Sequence, residues 1–432
     1  MIYKNLNLYC SDTNTDNIVK HYDSINKINN LSYIEIEKGI VHPFKLNDSN
    51  AQFFGGWYGG ISDKEFNIID EGCLYWQQNT LACGKVYRKQ IDEYIDKEVI
   101  FLGLYMGHFG HCITEGLNRL WFLLKNNSIN NYCYISQVDI DDYLNLFKLF
   151  GIKAENLIRI TRNTQFKKII IPSASMRLYD KYSDEYKETL NKISNNIKPS
   201  KYKKIYISRS QDIIGFTQTI GEENIENIFK NNDFKILYPA REKLEIAISL
   251  MKGAEVVAGV VGTNMHNILF AKDNIKTINL NRSNNGAGFQ IVIDKMKNTE
   301  SYYVDSYYQP IPTNTGSAVP FLIYPTNYTI SFFKDFGIKY NKNIKEILYK
   351  QFSFDLTKYL YQYHKSVYNN IDNDTSVIKN VDLVNSLKII FNDYPIDKVI
   401  KTKKQKKDII DKIAWWIPVR KLRDNFRSKF KH

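Results

Sequence analysis

Residues 99–121 read VIFLGLYMGHFGHCITEGLNRLW, and this stretch decides the fold expected for the chain. The apolar run over 99–104 is typical of a buried strand, and the glycines after it predict a turn. A helix pattern begins near His111 and predicts a helix over 110–125. On an α-helix His111, Glu115 and Arg119 lie at i, i+4 and i+8, so an imidazole, a carboxylate and a guanidinium share one face. An exposed helix face with ordinary ion pairs would show the same spacing.

Two later segments repeat the pattern of a strand that ends in a small or charged residue. Residues 204–210 read KIYISRS, a strand that ends at Ser208 and Arg209. Residues 254–270 read AEVVAGVVGTNMHNILF, a short strand followed by a glycine turn and a helix. Side chains at the carboxyl ends of strands are common sites of chemistry in α/β proteins. A tight strand-to-helix turn without any ligand is the alternative interpretation of the glycines.

Taken in this order, the three segments resemble glycosyltransferase family 61. That family shows a His-x-x-x-Glu-x-x-x-Arg-Leu helix, then a strand ending in Ser-Arg, then a Gly-x-x-x-x-Asn-x-x-Phe turn and helix. The resemblance covers roughly residues 98 to 282, and bacterial members from surface-polysaccharide clusters look most similar. The matching positions are His111, Glu115, Arg119, Leu120, Ser208, Arg209, Gly262, Asn267 and Phe270.

The order of elements predicts an α/β fold. From residue 203 onward strands alternate with helices, which implies a parallel sheet with right-handed crossovers. The resemblance adds the GT-B type, with two Rossmann-like domains facing across a cleft. We expect an acceptor-side α/β domain over 1–197, with only short strands and loops up to residue 97. A nucleotide-sugar-binding domain over 198–300, an aromatic-rich segment over 301–397 that completes the fold, and a basic amphipathic helix within 398–432 should follow.

The resemblance implies an inverting glycosyltransferase with a UDP-linked sugar as the expected donor. The diphosphate that leaves develops negative charge, so fixed donors and cations are needed around it. A helix that begins after a glycine turn can point its free N–H groups at a phosphate. The expected donor-binding residues are Ser208, Arg209, Gly259, Gly262, Thr263, Asn264, His266 and Asn267.

On the acceptor side, a base must take the proton of the attacking hydroxyl. His111 and Glu115 are both candidates, with Arg119 expected to neutralise Glu115. His108, in the preceding loop, is a weaker candidate for an acceptor contact. The expected acceptor is a glycan or lipid-linked glycan in bacterial surface polysaccharide synthesis. No convincing Asp-x-Asp loop occurs, so neither a metal nor another cofactor is expected.

Three departures from the family pattern keep other functions open. Val261 stands where a His is usual, no arginine occurs between Arg209 and Arg241, and Gly221-Glu222-Glu223 replaces an Asn-Glu pair. One alternative is a non-catalytic glycan-binding or scaffold protein of the same fold. Another is a transferase with a CMP-linked or glycerol-phosphate donor. An oxidoreductase is disfavoured because no strand leads into G-x-G-x-x-G.

The positive charge of the chain is concentrated at its C-terminal end. Residues 398–432 hold thirteen Lys or Arg against three Asp, which is +10 of the formal +13. The nearly balanced remainder disfavours nucleic-acid binding. Cations beside tryptophans and an apolar helical stripe are typical of an anchor at a membrane surface. We therefore expect a cytoplasmic protein held on the inner face of the membrane, unless this helix packs on the protein itself. The expected anchor residues are Trp415, Trp416, Val419, Leu422 and Phe426.

The remaining composition excludes other classes of protein. The five cysteines are odd in number and scattered, with no CxxC pair, so neither a disulfide framework nor a zinc site is indicated. The first residues lack the apolar run of a signal peptide, and we find no stretch of about 18 apolar residues.

Overall fold

The computed structural model describes residues 5–45, 57–76, 79–107, 109–126, 128–137, 144–211, 219–284, 288–309 and 320–341, with positions 343, 351–352, 355–356 and 358–359. His108 and the whole of 398–432 lie outside the described residues. The structure therefore carries no information on the expected acceptor contact of His108 or on the expected C-terminal helix.

The first of two large sheets, the parallel sheet, has six strands that all run in the same direction. The interior strands 204–207 and 256–260 are mostly apolar, as expected for a sheet covered on both faces, whereas strands 276–281 and 300–305 also contain buried polar residues. In spatial order the strands are Leu6–Tyr9, Glu300–Asp305, Lys276–Asn281, Val256–Val260, Lys204–Ile207 and Lys235–Leu237.

The second, the mixed sheet, contains the long strand Glu93–Tyr105, which leads into the first motif. This strand runs parallel to its neighbours Tyr132–Ser136 and Thr164–Pro172. The remaining strands of the sheet are Leu157–Ile160, Ile40–Lys45, Tyr58–Ser62 and Tyr33–Glu37. Three small sheets combine Met176–Arg177, Lys181–Tyr182 and Asn26–Lys27; Thr219–Ile220, Phe321–Ile323 and Tyr307–Tyr308; and Leu74–Trp76 with Asn79–Ala82.

Helices cover the sheets, and several begin at a hydroxyl cap. Ser11 accepts from the backbone N–H of Asn14 and starts the first helix, and Ser183 does the same for Tyr186. The α-helices are Asp12–Ser24, Phe109–His111, Trp121–Lys125, Leu144–Phe150, Asp184–Ser194, Glu222–Lys230, Leu244–Gly253, Phe289–Met296 and Asn327–Phe336. Short 3₁₀ helices span Asp70–Gly72 and Ala154–Asn156, a longer one spans Thr263–Phe270, and a π-helical turn spans Cys112–Gly116. Among the described residues no helix is long and apolar enough to cross a membrane.

One hydrophobic core connects the two large sheets. It includes Leu102 from the mixed sheet, Leu117 and Ile193 from the helices between the sheets, and Ile207 and Val257 from the parallel sheet. The helical layer between the sheets therefore packs against both. Separate cores cover the outer face of each sheet.

The α/β class is confirmed, whereas the GT-B arrangement of two domains facing across a cleft stays a prediction. The N-terminal segment departs from expectation, because Leu6–Tyr9 pairs with Glu300–Asp305 in the parallel sheet. The helix Asp12–Ser24 also occupies a region where we expected only short strands and loops. The expected domain boundaries stay a prediction. Residue 197 lies between the strands of the mixed sheet and those of the parallel sheet, apart from Leu6–Tyr9, and residue 300 begins the strand Glu300–Asp305.

Candidate functional site

The first motif begins where strand Glu93–Tyr105 ends, and its helix is irregular. A turn of α-helix at Phe109–His111 widens into a π turn at Cys112–Gly116, and α-helix resumes only at Trp121. Gly116 fits here because a Cβ atom would lie 2.9 Å from the ring of Tyr105. The Tyr186 hydroxyl donates to the carbonyl of Ile113, which gives a partner to a backbone group inside the π turn. The regular helix predicted over 110–125 is therefore wrong in its first half.

His111 and Glu115, the first pair of the motif, stay in contact within the π turn. His111 Nδ1 lies 2.5 Å from Glu115 Oε2, and the Thr114 hydroxyl lies 3.3 Å from the same oxygen. The Glu115 side chain is 3 % exposed and that of His111 is 21 % exposed. Burial by itself lowers the pKa of His111, but the charge of Glu115 and its hydrogen bond outweigh burial, so the pKa is raised above its usual value.

Arg119 does not neutralise Glu115, contrary to the expectation from i+8 spacing. The wider turn rotates Arg119 away, and its guanidinium donates to the carbonyls of Glu71 at 2.7 Å and Cys73 at 3.3 Å. Among the described residues no ion pair joins Arg119 to Glu115, and burial lowers the pKa of Arg119. Arg119 therefore fastens the 70–73 segment to the motif.

On the parallel sheet, three neighbouring strands end at positively charged or glycine positions. Arg209, Gly262 and Arg282 follow strands 204–207, 256–260 and 276–281 within two residues. Parallel strands end at the same edge of a sheet, so these residues meet there. A Cβ atom on Gly262 would lie 2.6 Å from Arg209 Nη1 and 3.1 Å from Arg282 Nη1. We call Arg209, Gly262 and Arg282 the arginine cradle.

Gly262 is required by its backbone as well as by the two guanidinium groups. Its φ of 150° and ψ of −173° belong to a region that is essentially restricted to glycine. It precedes the 3₁₀ helix Thr263–Phe270, which is the helix that the sequence predicts after this glycine turn. Gly262, Thr263 and Asn264 are partly exposed, whereas every residue from 265 to 270 is buried. The open N-terminal turn of this helix thus lies beside the arginine cradle.

Arg282 is a residue that sequence reasoning missed. Its Nη1 atom is buried and has no hydrogen-bond partner among the described residues. The guanidinium carbon lies 4.1 Å from the ring centroid of Phe321. Burial first, and then the charge of Arg209, lower the pKa of Arg282 to about 9. The position right after a strand next to the glycine turn was the available signal, but Arg282 lies at the edge of the segment that resembled the family.

Two glutamates of helix Glu222–Lys230 accept hydrogen bonds from the Ser208–Ser210 loop. Ser208 and Ser210 each donate to Glu226 Oε2 at 2.6 Å, and the Arg209 N–H donates to Glu222 at 3.1 Å. Burial raises the pKa of Glu222 to about 7. Ser208 is fully buried on Glu226, so it positions Arg209 in this structure and presents no hydroxyl to a ligand. The acidic pair at 222 and 226 was another missed part of the site.

Three other expected donor-binding residues, Gly259, His266 and Asn267, are buried. Gly259 lies inside its strand, where a Cβ atom would be 2.6 Å from both the Ile207 carbonyl oxygen and the Met265 sulfur. The glycine is therefore required by packing within the strand, and its role in donor binding stays a prediction. Asn267 is 1 % exposed and donates to the Asn264 carbonyl at 2.8 Å. His266 is 4 % exposed.

The first and third motifs touch at Gly110. A Cβ atom there would lie 2.8 Å from Thr263 Cγ2 and 3.1 Å from His266 Nδ1. Because Gly262 in turn meets Arg209, the three motifs form one continuous site. It contains the His111–Glu115 pair, of which only the glutamate is buried, on the side of the mixed sheet and two arginines on the side of the parallel sheet. Such a site can hold an anionic leaving group and accept a proton nearby.

Among the described residues no three His, Cys, Asp or Glu side chains are grouped so as to hold a metal ion. Independence from metals and other cofactors stays a prediction, because that observation concerns this part of the chain alone.

A family model described as Glycosyltransferase 61 matches residues 109–278. The match begins at the first motif and includes the second and third, and it ends inside the strand that leads to Arg282. No curated protein matches the chain.

Proposed function

This chain belongs to glycosyltransferase family 61 by the match over residues 109–278, and on that premise we propose how it transfers a sugar. The protein is a glycosyltransferase. The proposed reaction is an inverting transfer from a nucleotide sugar, with UDP as the nucleotide, to a glycan or lipid-linked glycan. The observation that carries this proposal is the convergence of Arg209 and Arg282 on Gly262, next to the His111–Glu115 pair.

The arginine cradle supports a diphosphate as the group bound there. Two guanidinium groups so close together repel each other, and the charge of Arg209 contributes to the lowered pKa of Arg282. An anion between them removes that repulsion and gives the buried Nη1 of Arg282 a partner. The partly exposed N-terminal turn at Thr263 and Asn264 adds backbone N–H groups. Two arginines suit the two phosphates of a nucleoside diphosphate better than the single phosphate of a CMP-sugar.

We assign the base to His111 and its orientation to Glu115. Glu115 is almost completely buried and accepts from Nδ1, so in a neutral His111 the proton lies on Nδ1, and Nε2 is the nitrogen that we propose takes the proton of the acceptor. In the transfer the acceptor hydroxyl oxygen bonds to the anomeric carbon as the bond from that carbon to the diphosphate oxygen breaks. The hydroxyl proton passes to His111 Nε2, and the electron pair leaves with the nucleoside diphosphate. This single displacement inverts the anomeric centre.

A thermal-unfolding panel with UDP, GDP, CMP, dTDP and their sugars tests the donor. A ligand present at 100 times its Kd adds about 2.7 kcal/mol to the free energy of unfolding, so the preferred nucleotide is readily detected. Arg282→Met should weaken UDP binding by about 10- to 150-fold, since a hydrogen bond to a charged group is worth about 1.5–3 kcal/mol.

The matched control is Arg88→Met, which removes an exposed arginine paired with Asp92 at the opposite end of strand Glu93–Tyr105. If a folded Arg282→Met protein binds UDP with unchanged affinity, the arginine cradle is not the diphosphate site. Stabilisation by CMP alone identifies the other donor class. Binding of a nucleotide without transfer or hydrolysis of its sugar identifies a non-catalytic binding protein.

We also propose that residues 398–432 hold the enzyme on the cytoplasmic face of a membrane, close to a lipid-linked acceptor of bacterial surface polysaccharide synthesis. The support is the sequence, in which +10 of the chain's charge accompanies Trp415 and Trp416. Cations near an anionic leaflet contribute about 1 kcal/mol each, and apolar insertion adds to this.

Truncation after Asp397 should abolish binding to vesicles that contain phosphatidylserine while transfer to a short soluble acceptor is retained. Binding of the full chain should also weaken with salt, because the screening length falls from about 10 Å at 0.1 M to about 3 Å at 1 M. Equal vesicle binding by both proteins would mean that the segment packs on the protein itself.

A further inference from the structure

Phe289 occupies the junction of the two halves of the site. Its ring centroid lies 6.5 Å from that of His111 and 6.3 Å from that of His266, with interplanar angles of 64° and 71°. Phe289 is partly exposed and is the first residue of helix Phe289–Met296. It therefore lies within the site, beside both histidines.

Tyr179 extends this aromatic surface. Its ring centroid lies 4.9 Å from that of Phe289 at an interplanar angle of 87°, and it is also partly exposed. The backbone of Tyr179 has a φ of 106°, a conformation that residues with a side chain rarely adopt. Backbone outliers of this kind persist where the surroundings fix them, and they cluster at ligand sites.

Several contacts fix Tyr179 in this conformation. His21 Nε2 lies 2.5 Å from the Tyr179 carbonyl oxygen, and the His21 ring stacks on the Tyr179 ring with centroids 4.8 Å apart. The next residue, Asp180, is held by Arg177 through two hydrogen bonds and accepts from the Asn26 N–H at 2.8 Å. The ring is therefore positioned before any ligand arrives.

We propose that Phe289 and Tyr179 form a stacking surface for the pyranose ring of the acceptor. This inference rests on the proposed function. The C–H hydrogens on one face of a sugar ring are slightly positive and suit the negative face of an aromatic ring. The surface adjoins His111, the proposed base, and Tyr179 follows the mixed-sheet strand Thr164–Pro172. The diphosphate, by contrast, lies at the arginine cradle on the parallel sheet.

The test compares wild type, Phe289→Leu and Phe289→Trp in the full chain. The probes are UDP, followed by calorimetry, and the methyl glycopyranosides of glucose, galactose, mannose and N-acetylglucosamine, followed by saturation-transfer NMR with UDP present. Phe289→Leu should weaken binding of the preferred glycoside by about 3- to 10-fold, the size expected for one aromatic contact. UDP affinity should stay within about twofold, and Phe289→Trp should restore glycoside binding.

Tyr202→Leu is the matched control, because this exposed ring precedes strand Lys204–Ile207 at the end of the sheet away from the cradle. Equal glycoside binding by wild type and Phe289→Leu would overturn the inference, as would a wild type that binds UDP and none of the glycosides. A parallel loss of UDP affinity in Phe289→Leu would assign the ring to the donor side and overturn the acceptor assignment. Absence of UDP binding in wild type contradicts the proposed donor instead.

Discussion

The two sides of the site are built by opposite means. On the parallel sheet, the arginine cradle uses regular structure, since three neighbouring strands end together and bring Arg209, Gly262 and Arg282 into contact. On the mixed sheet, the His111–Glu115 pair lies in an irregular π turn, in which the carbonyl of Ile113 accepts a hydrogen bond from Tyr186. The difference teaches that strand order can bring two cations together, with a glycine turn between them. On the mixed sheet a local distortion instead decides that Arg119 lies away from the His–Glu pair, and such distortions are often found at functional sites.

The largest loss of activity should come from variants of the His111–Glu115 pair on the mixed sheet. His111→Gln and Glu115→Gln should each lower turnover by about 10²–10⁴-fold, the usual contribution of a general base, and leave UDP affinity unchanged. His42→Gln is the control, because His42 is a buried histidine of the mixed sheet bonded to Asn163 and Ser62. It should change stability and spare turnover per folded molecule. Wild-type turnover in both site variants would show that the pair is structural.

The pH profile separates the two candidate bases within the same experiment. A base must be unprotonated, and the pKa of His111 is raised, so activity should fall on the acid side at a pH above the ordinary histidine value of about 6.5. In Glu115→Gln the charge that raises this pKa is gone and burial, which lowers it, remains. The acid limb of its residual activity should therefore move to lower pH. Disappearance of the acid limb in Glu115→Gln would favour Glu115 as the base, because the titrating carboxylate is absent from that variant.

A second test asks whether Arg119 belongs to the chemistry or to the fold. Arg119→Met should reduce the free energy of unfolding by about 2–4 kcal/mol, because buried charged hydrogen bonds to the Glu71 and Cys73 carbonyls are lost. Urea unfolding measures this, with Arg88→Met as the exposed control. Turnover per folded molecule should stay within about threefold. A loss of turnover as large as that of Glu115→Gln would return Arg119 to the catalytic set.

The smallest effect is expected for a Gly262 variant, which tests the arginine cradle on the parallel sheet. Gly262→Ala places a methyl group against both arginines and forces an unfavourable backbone, at a cost of about 1–3 kcal/mol. UDP affinity should fall by about 5- to 150-fold in calorimetry. Gly151→Ala is the control, since Gly151 also has a positive φ, of 105°, but nothing lies within 4 Å of its Cβ position. Equal UDP affinity in the two variants would separate the glycine turn from the nucleotide site.

The same contrast explains what could be predicted from the sequence. The apolar pattern predicts a strand over 132–136, which the mixed sheet has with the same bounds. It also predicts strands over 204–208, 234–238, 255–259 and 275–280, and those of the parallel sheet lie within one residue of these bounds. Short-range apolar periodicity determines such elements. The His111–Glu115 contact also followed from its spacing, because two residues within one turn stay close even when the turn widens.

Other features of the fold and the site depend on contacts between distant residues, which the spacing of residues along the sequence does not reveal. The position of Arg119 follows from a π turn, in which the Ile113 carbonyl accepts a hydrogen bond from Tyr186, a residue far along the chain. Arg282 lies close to Arg209 because their strands are near each other in the parallel sheet. The spatial order of strands in a sheet cannot be read from their order along the sequence. Helix Asp12–Ser24 carries a weakly apolar sequence, and only Asn14 and Ile18 are buried on it, so its periodicity was too faint to recognise.

The pairing of Leu6 with Ser301 has a consequence for how the site forms during synthesis. The first strand leaves the ribosome long before its partner Glu300–Asp305 exists, and a contact across nearly the whole described chain is slow to close. Helix Asp12–Ser24 follows that strand and supplies His21, which braces Tyr179. The proposed sugar-stacking surface therefore matures only after residue 305 has been made. A nascent chain that stops earlier can hold much of the mixed sheet, yet its acceptor side remains unfinished.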